Sequence, residues 1–297
     1  VPPCTMGRMT NDSSIPASVF DLDFDLESPD LTDVEVAVFL VTRAASLAAH
    51  MREEGLGTEF KTSVSDVVTE ADRAAEDFVV NALAELRPDD GILGEEGSSS
   101  DGTSGRVWVI DPVDGTYNFT SGSDYWCSAI ALIEGPVNNP ERVVLGAVHQ
   151  TSSGRTWVGG PELPTMVHTL GIGPSQPVAV EPLSGSDPSQ ISVGTYLHGT
   201  YFRDAPNSPV DAAITSRWAE AVGIFATWRT LGSASLDMAG VADGRIGAWF
   251  QRTVAPWDWL PGYALVAGAG GTGDLVDSWR IAGHPEAVAQ VAKVLEP

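Results

Sequence analysis

The 297-residue sequence predicts an α+β protein folded as one large domain or two closely packed halves. Two early stretches carry apolar residues at helical spacing, and short apolar runs after them end in carboxylates. Strand-like and helical segments then stay interleaved to the C-terminal end. With 43% hydrophobic residues and nine tryptophans, the chain has the apolar content for a substantial core.

Residues 1–30 are rich in Ser, Pro and Asp without periodicity and read as a mobile acidic arm, its first residues, ahead of Met6 or Met9, being left out of the fold. From about Leu31 to Glu54, Val36, Phe39, Leu40, Ala44 and Leu47 recur at helical spacing. A second helix is expected from about Thr69 to Leu86, with Thr69 as N-cap and Asp72 three residues on. Gly91–Gly94 and Val107–Ile110 read as buried strands separated by the polar tract Ser98 to Gly105. Ser128–Glu134 and Val143–His149 fit an antiparallel pair joined by a turn over Gly135–Pro140. Between about Pro161 and Gln190 the composition shifts to Pro, Gly and Ser, which divides the chain into an N-terminal half, residues 31–160, and a C-terminal half, residues 161–297. In the second half a strand is expected over Ile191–Tyr196, with helices near Asp211–Val222, Ser233–Ala242 and from Pro285.

Sixteen basic against forty acidic residues leave a net charge of −24, a field that repels nucleic acid and anionic membranes. The same field repels a phosphate ester, so a site for one must bring its own positive charge, and bound divalent metal is a ready source. Cys4 and Cys127 are the only cysteines, which excludes a disulfide framework and suits a reducing compartment. No run of about eighteen apolar residues is evident, and Val1-Pro2-Pro3-Cys4 lacks the charged and apolar regions of a signal peptide. The expected location is the cytoplasm, with neither a membrane nor a nucleic acid as partner.

The most informative segment is Trp108-Val109-Ile110-Asp111-Pro112-Val113-Asp114-Gly115-Thr116-Tyr117-Asn118-Phe119, an apolar strand running into two carboxylates, a glycine and a hydroxyl. Asp111 and Asp114, with Pro112 stiffening the turn, can converge on one point while the Val113 carbonyl stays free, and such hard oxygen ligands suit Mg²⁺ better than Zn²⁺. Taken alone, the pair also fits an Asx-type turn in which both aspartates cap their own backbone. Gly115 permits close approach of a ligand, and the amides of Gly115 and Thr116 could face an anion if a helical turn starts there. Glu95-Glu96 follows the strand before, where adjacent glutamates alone are more often surface charge. Pro256-Trp257-Asp258-Trp259 precedes the small-residue run Tyr263 to Gly270, which puts Asp258 near a helix N-terminus, as a ligand or as an ordinary N-cap. The five histidines show no metal-ligand spacing.

Gly94-Glu95-Glu96, Asp111-Pro-Val-Asp-Gly-Thr and Trp257-Asp258 with its following glycine match, in order and spacing, the motifs of the inositol monophosphatase family, which the chain resembles from about Leu31 onward. The segment Lys61 to Asp72 is similar to the family's upstream element, and Gly232-Ser233-Ala234-Ser235 to its substrate-side loop. The resemblance implies a layered αβαβα sandwich, usually a homodimer and often lithium-sensitive. It implies Mg²⁺ as cofactor, two to three ions per site: Glu95, Asp111 and the Val113 carbonyl for one, Asp111, Asp114 and Asp258 for the second, and Glu95 for a labile third. Asp72 and Thr116 would orient and help deprotonate the attacking water, and Gly115 and Thr116 amides would bind phosphate. Asp114, Gly232, Ser233, Ala234 and Gln251 would contact substrate, with Lys61 as a supporting charge.

The function so implied is Mg²⁺-dependent hydrolysis of a small phosphate monoester, myo-inositol 1-phosphate first. Gln251 stands where many members carry a glutamate that contacts inositol hydroxyls, which leaves a hydrogen-bonding amide without the charge. Pro261 replaces a usual alanine, a change that a first helical turn tolerates. Histidinol phosphate is the nearest rival; its amine would need an acidic partner such as Asp237 or Asp204. Fructose 1,6-bisphosphate or 3′-phosphoadenosine 5′-phosphate would need extra cations, for which Arg203, Arg229 and Arg252 are available. A non-catalytic protein that binds metal or sugar phosphate and acts through a partner is the reading of a different class, and the intact set Asp72, Glu95 and Thr116 argues against it.

Overall fold

The computed structural model describes residue 15 and residues 31–55, 58–60, 67–180, 186–202 and 212–296. The helices are α1 Asp33–Glu54, α2 Glu70–Leu86, α3 Thr116–Thr120, α4 Ala212–Gly223, α5 Ala234–Ala242, α6 Pro256–Gly268 and α7 Pro285–Leu295. The strands of the first half are β1 Thr58–Phe60, β2 Val67–Thr69, β3 Gly91–Gly94, β4 Ser99–Ser100, β5 Arg106–Asp114, β6 Cys127–Glu134, β7 Arg142–Gln150, β8 Arg155–Gly160, β9 Leu163–Thr169 and β10 Gln176–Pro177. Those of the second half are β11 Ser192–Tyr196, β12 Thr227–Arg229, β13 Ala248–Arg252, β14 Thr272–Val276 and β15 Trp279–Gly283.

Local chemistry sets the helix starts. Thr32 with Glu35, and Thr69 with Asp72, each form a reciprocal capping box that satisfies amides the first turn leaves unpaired. Strands β10-β9-β8-β7-β6-β5-β3-β4 form an eight-stranded sheet, with β3 and β5 parallel. Strands β12-β11-β13-β15-β14 form a five-stranded one, and β1 pairs with β2 alone.

Three apolar clusters stack these elements into layers. Val36, Leu40, Val79 and Leu83 of α1 and α2 meet Trp108, Ile110, Ile130 and Leu132 on one face of the large sheet. On its other face, Met238, Leu260 and Leu265 of α5 and α6 pack between Val109, Ala129 and Trp157 of that sheet and Trp249 and Ala282 of the smaller one. Val288, Val291 and Leu295 of α7 then cover Val193, Phe250 and Ile281 on the outer face of the smaller sheet. Helix, sheet, helix, sheet, helix is an αβαβα sandwich.

Several expectations need revision. The large sheet runs on through β9 and β10, beyond the division placed at residue 160, because Arg155–Gly160 pair with Leu163–Thr169 across a tight β8–β9 hairpin despite the Pro- and Gly-rich composition around it. Most of the N-terminal arm lies outside the described residues, but Ile15 is buried in the first cluster rather than free. Helix α1 is 22 residues long with a mean hydropathy of 1.4 over its most apolar window, enough by length and composition to cross a bilayer although Thr42, Arg43 and Ser46 interrupt its apolar run; half of that window is buried among α2 and the large sheet. Pro261 lies past the first turn of α6, yet the helix continues to Gly268. The segment Gly268 to Gly271 is its end and turn, with Gly270 at φ +87.

The central helix α6 approaches the large sheet without room for a side chain. A Cβ on Gly146 of β7 would sit 2.3 Å from the Pro261 carbonyl oxygen. Gly146→Ala is therefore expected to force α6 off the sheet and cost about 1–3 kcal/mol of stability, read from denaturant unfolding.

Candidate active site

The chemistry-bearing carboxylates gather where β5 breaks its own periodicity. In a regular strand, residues three apart face opposite sides of the sheet. Asp111 pairs with Ala129 and Asp114 with Cys127, so Pro112 and Val113 together oppose the single residue Ser128. That extra residue is a β-bulge, and it turns Asp114 to the side on which Asp111 lies. The flip shows in the packing: Val113 joins Phe119, Trp126 and Ala71 on the α1–α2 side, while Asp114 accepts the Ala234 and Ser235 amides of α5 at 3.2 and 2.5 Å. Ser128 Oγ donates to the Pro112 carbonyl at 2.5 Å and holds the bulge. Asp111 and Asp114 are thus part of a bulged strand, not of an Asx turn.

Two other elements bring their carboxylates to this point. The Glu95 amide donates to the Ile110 carbonyl at 3.2 Å, so the chain leaving β3 passes beside Asp111. Asp258 lies in the first turn of α6, where the helix dipole favours negative charge. Asp111, Asp114 and Asp258 each offer an oxygen within 4.8 Å of the others. Asp111 is buried, and both its oxygens lack a hydrogen-bond partner. Burial first, and then the charges of Glu95, Asp114 and Asp258, push its carboxyl well above the usual range. A carboxylate left so exposed to repulsion and so starved of donors fits a hard divalent cation, because a metal would supply the missing positive charge and take the orphaned oxygens.

A cavity of about 430 Å³ opens over the cluster and is lined by Glu95, Asp111, Val113, Asp114, Gly115, Thr116, Gly232, Ser233, Ala234, Gln251 and Asp258. Every expected ligand and substrate contact therefore borders one space. Asp72 lies behind it, fully buried. It accepts the Thr69 amide at 3.0 Å, the Thr69 hydroxyl, and the Thr116 hydroxyl at 3.1 Å. Burial raises its pKa and these hydrogen bonds oppose the rise. Thr116 Oγ1 also lies 3.0 Å from the Val113 carbonyl, so its single proton has two acceptors. Gly115, at φ +98, precedes α3, and its position is close enough to the Gly232 carbonyl that a Cβ would be 3.0 Å away. Lys61, Asp204 and Arg203 lie outside the described residues.

Two positioning residues escaped the sequence pattern. Glu76, one turn beyond Asp72 on α2, is buried and accepts the amides of Glu96 and Ser98 at 2.8 and 2.9 Å, which pins the Glu95 loop. Its i, i+4 relation to Asp72 was the available signal. Asn118 Nδ2 donates to the Tyr125 and Leu231 carbonyls at 2.8 and 2.7 Å and ties α3 to the substrate-side loop. Asp237 lines the cavity but is buried, accepts the Tyr125 hydroxyl at 2.7 Å, and is raised by burial to about 8. Arg252 contacts Tyr201 and Asp277, and Trp259 stacks on Tyr263 in the core. No histidine, lysine or arginine lines the cavity among the described residues.

The sequence model of the inositol monophosphatase family matches residues 30–280. The inositol-1-monophosphatase of Mycobacterium leprae is 32% identical over 253 residues, 79% of this chain and 80% of its own. The histidinol-phosphatase of Mycobacterium tuberculosis is 30% identical over 248 residues, 80% and 85% of the two chains. In fold, the extragenic suppressor protein suhB of Bartonella henselae superposes with a TM-score of 0.73 at 22% identity, covering 88% of this chain and 96% of that one. The chain belongs to the inositol monophosphatase family, a family of metal-dependent phosphatases that act as phosphoric monoester hydrolases.

Proposed function

We propose that this protein hydrolyses the monophosphate of a small neutral polyol, myo-inositol 1-phosphate foremost, with Mg²⁺ as cofactor. The observation that carries the substrate class is the lining of the cavity: beyond the carboxylate cluster it offers hydroxyls and an amide, from Tyr196, Thr230, Ser233 and Gln251, and no cation among the described residues. Hydroxyls and amides suit a polyol, while a second phosphate would find no basic partner there.

Glu95, Asp111, the Val113 carbonyl, Asp114 and Asp258 would hold the metal. When bound, it supplies the positive charge that activates water and offsets charge on the phosphoryl group and the leaving oxygen. Thr116 and Asp72 form the proton-accepting pair. While Thr116 donates to Asp72, its own oxygen is free to accept a hydrogen bond from water and so to aim that water's lone pair at phosphorus. Burial makes Asp72 a stronger base than a solvated aspartate, which suits it to take up the proton. The Gly115 and Thr116 amides at the start of α3 would receive phosphate oxygens. The water oxygen forms the new P–O bond, the ester P–O bond breaks, and the alcohol leaves as its oxygen is protonated.

The histidinol-phosphatase relative keeps histidinol phosphate as a second reading. Asp237, the acidic partner that its amine would seek, is raised by burial to about 8 and is engaged by the Tyr125 hydroxyl, which disfavours it. A cytoplasmic homodimer sensitive to lithium completes the proposal by analogy with the family.

Phosphate release at neutral pH from myo-inositol 1-phosphate, histidinol phosphate, fructose 1,6-bisphosphate and 3′-phosphoadenosine 5′-phosphate, with and without Mg²⁺, tests the reading. Magnesium-dependent turnover strongest on the inositol ester is expected; preference for another ester replaces the substrate, and silence on all four favours a binding protein. Asp111→Asn is expected to abolish turnover with the fold intact by circular dichroism. Thr116→Ala should lower kcat ~10²–10⁴-fold with little change in KM, and Thr116→Ser should restore most of it. In the metal-free protein the folded state keeps a proton on Asp111 that the unfolded chain, at the ordinary value of 3.8, has already lost. The unfolded state then binds fewer protons, so stability should fall as pH rises above the ordinary carboxylate range. Mg²⁺ should lessen that fall, and Asp111→Asn should shrink both effects, leaving the part that belongs to Asp237 and Asp72, read as thermal midpoints at about pH 5 and about pH 8.

A further inference from the structure

A second cavity, of about 480 Å³, lies on the other flank of α6, between the β6–β7 turn and the edge of the five-stranded sheet. Its inner wall is Trp259 stacked on Tyr263, with ring centroids 4.8 Å apart, lying against Gly273, where a Cβ would meet the Tyr263 ring at 2.7 Å. Arg280 of β15 places its guanidinium 5.1 Å from the centroid of Trp259 and borders the cavity. In a chain with an excess of carboxylates, many described arginines are paired: Arg87, Arg106, Arg155 and Arg245 each have a carboxylate partner, as does Arg142, the other cation that borders this cavity. The Arg280 guanidinium forms no ion pair and no hydrogen bond among the described residues, although Glu141 and Asp274 stand at the rim. Its half-buried position lowers its pKa through lost hydration, which a carboxylate partner would have countered. The exposed amide side chains of Asn138 and Asn139 face the same space.

We propose that this cavity is a second, non-catalytic binding site for a small anion bearing phosphate or carboxylate oxygens, with Arg280 as its anchor and the Asn138–Asn139 turn as its outer wall. A guanidinium held over an indole presents its N–H groups to such oxygens in a fixed fork. The site is adjacent to the catalytic machinery in two ways: Asp258 and Trp259 are consecutive on α6, and Arg280 is the cross-strand partner of Gln251.

Calorimetric titration of the full chain with inorganic phosphate, once with Mg²⁺ and once with EDTA, tests the proposal. Without a divalent cation the catalytic cavity presents a cluster of carboxylates and repels phosphate, so binding that persists in EDTA reports the second site. A parallel titration with succinate distinguishes carboxylate from phosphate as the preferred group. Arg280→Gln should weaken the EDTA-resistant binding about tenfold or more. Asn139→Asp, on an exposed turn where folding is not at risk, should weaken it as well by placing a like charge beside the anion. Absence of binding of both anions in EDTA, or affinity unchanged in either variant, overturns the proposal.

Discussion

A carboxylate that is buried, without a hydrogen-bond donor and crowded by other carboxylates is the constraint around which this molecule is built. Burial and the neighbouring carboxylates disfavour the ionised form of Asp111 unless positive charge arrives with it. A single helix or strand could not gather such a set, because its own neighbours would have to be carboxylates at every second or third position. The fold instead delivers one each from α6 and the chain after β3, and two from β5, so the repulsion is felt only once the layers have closed. Their apolar contacts must therefore outweigh it.

That closure depends on α6. It lies between the two sheets, contributes Leu260 and Leu265 to the shared cluster, and approaches Gly146 so closely that no side chain fits. Its N-terminus then points Asp258 at the bulge in β5. The surrounding hydrogen bonds act on loops rather than on ligands: Glu76 fixes the turn that carries Glu95, and Asn118 fixes the loop that carries Gly232. Asp114 serves both purposes, since it accepts two amides of α5 while facing the cluster. A site assembled from separate elements needs these ties, because an error of an ångström in any one element spoils the convergence.

Much of this was legible in the sequence. The helices announced themselves through periodicity and through Thr69 with Asp72, and the apolar runs before Glu95 and Asp111 marked strands whose ends meet. Residue types and spacing pointed to Asp111 and Asp114, and the family resemblance added Asp258, but neither told how they converge: a bulge is a relation between two strands, and β5 alone does not contain Ser128. Glu76 and Asn118 were missed for a similar reason. A buried glutamate that accepts two amides looks, in one dimension, like any acidic residue on a helix. The β8–β9 hairpin was hidden because Pro and Gly there mark a tight turn inside a sheet, not a break between units. Helix α1 followed its periodicity, and its apolar middle is what the core requires.

The chain's net charge of −24 gives the site a particular logic. Attraction for an anionic substrate cannot come from the surface as a whole, and within the cavity no basic side chain among the described residues supplies it. In the proposed reading, affinity for phosphate rests on bound cation and on the amides at the start of α3, which would link substrate and metal occupancy thermodynamically: whatever raises one raises the other. The rest of the substrate would then meet hydroxyls and the Gln251 amide, which can discriminate hydroxyl patterns without adding charge. Selectivity and phosphate affinity thereby reside in different parts of one cavity. Substitution at Gln251 can shift the former while the carboxylate cluster keeps the latter, which is how one scaffold can serve different small phosphate esters.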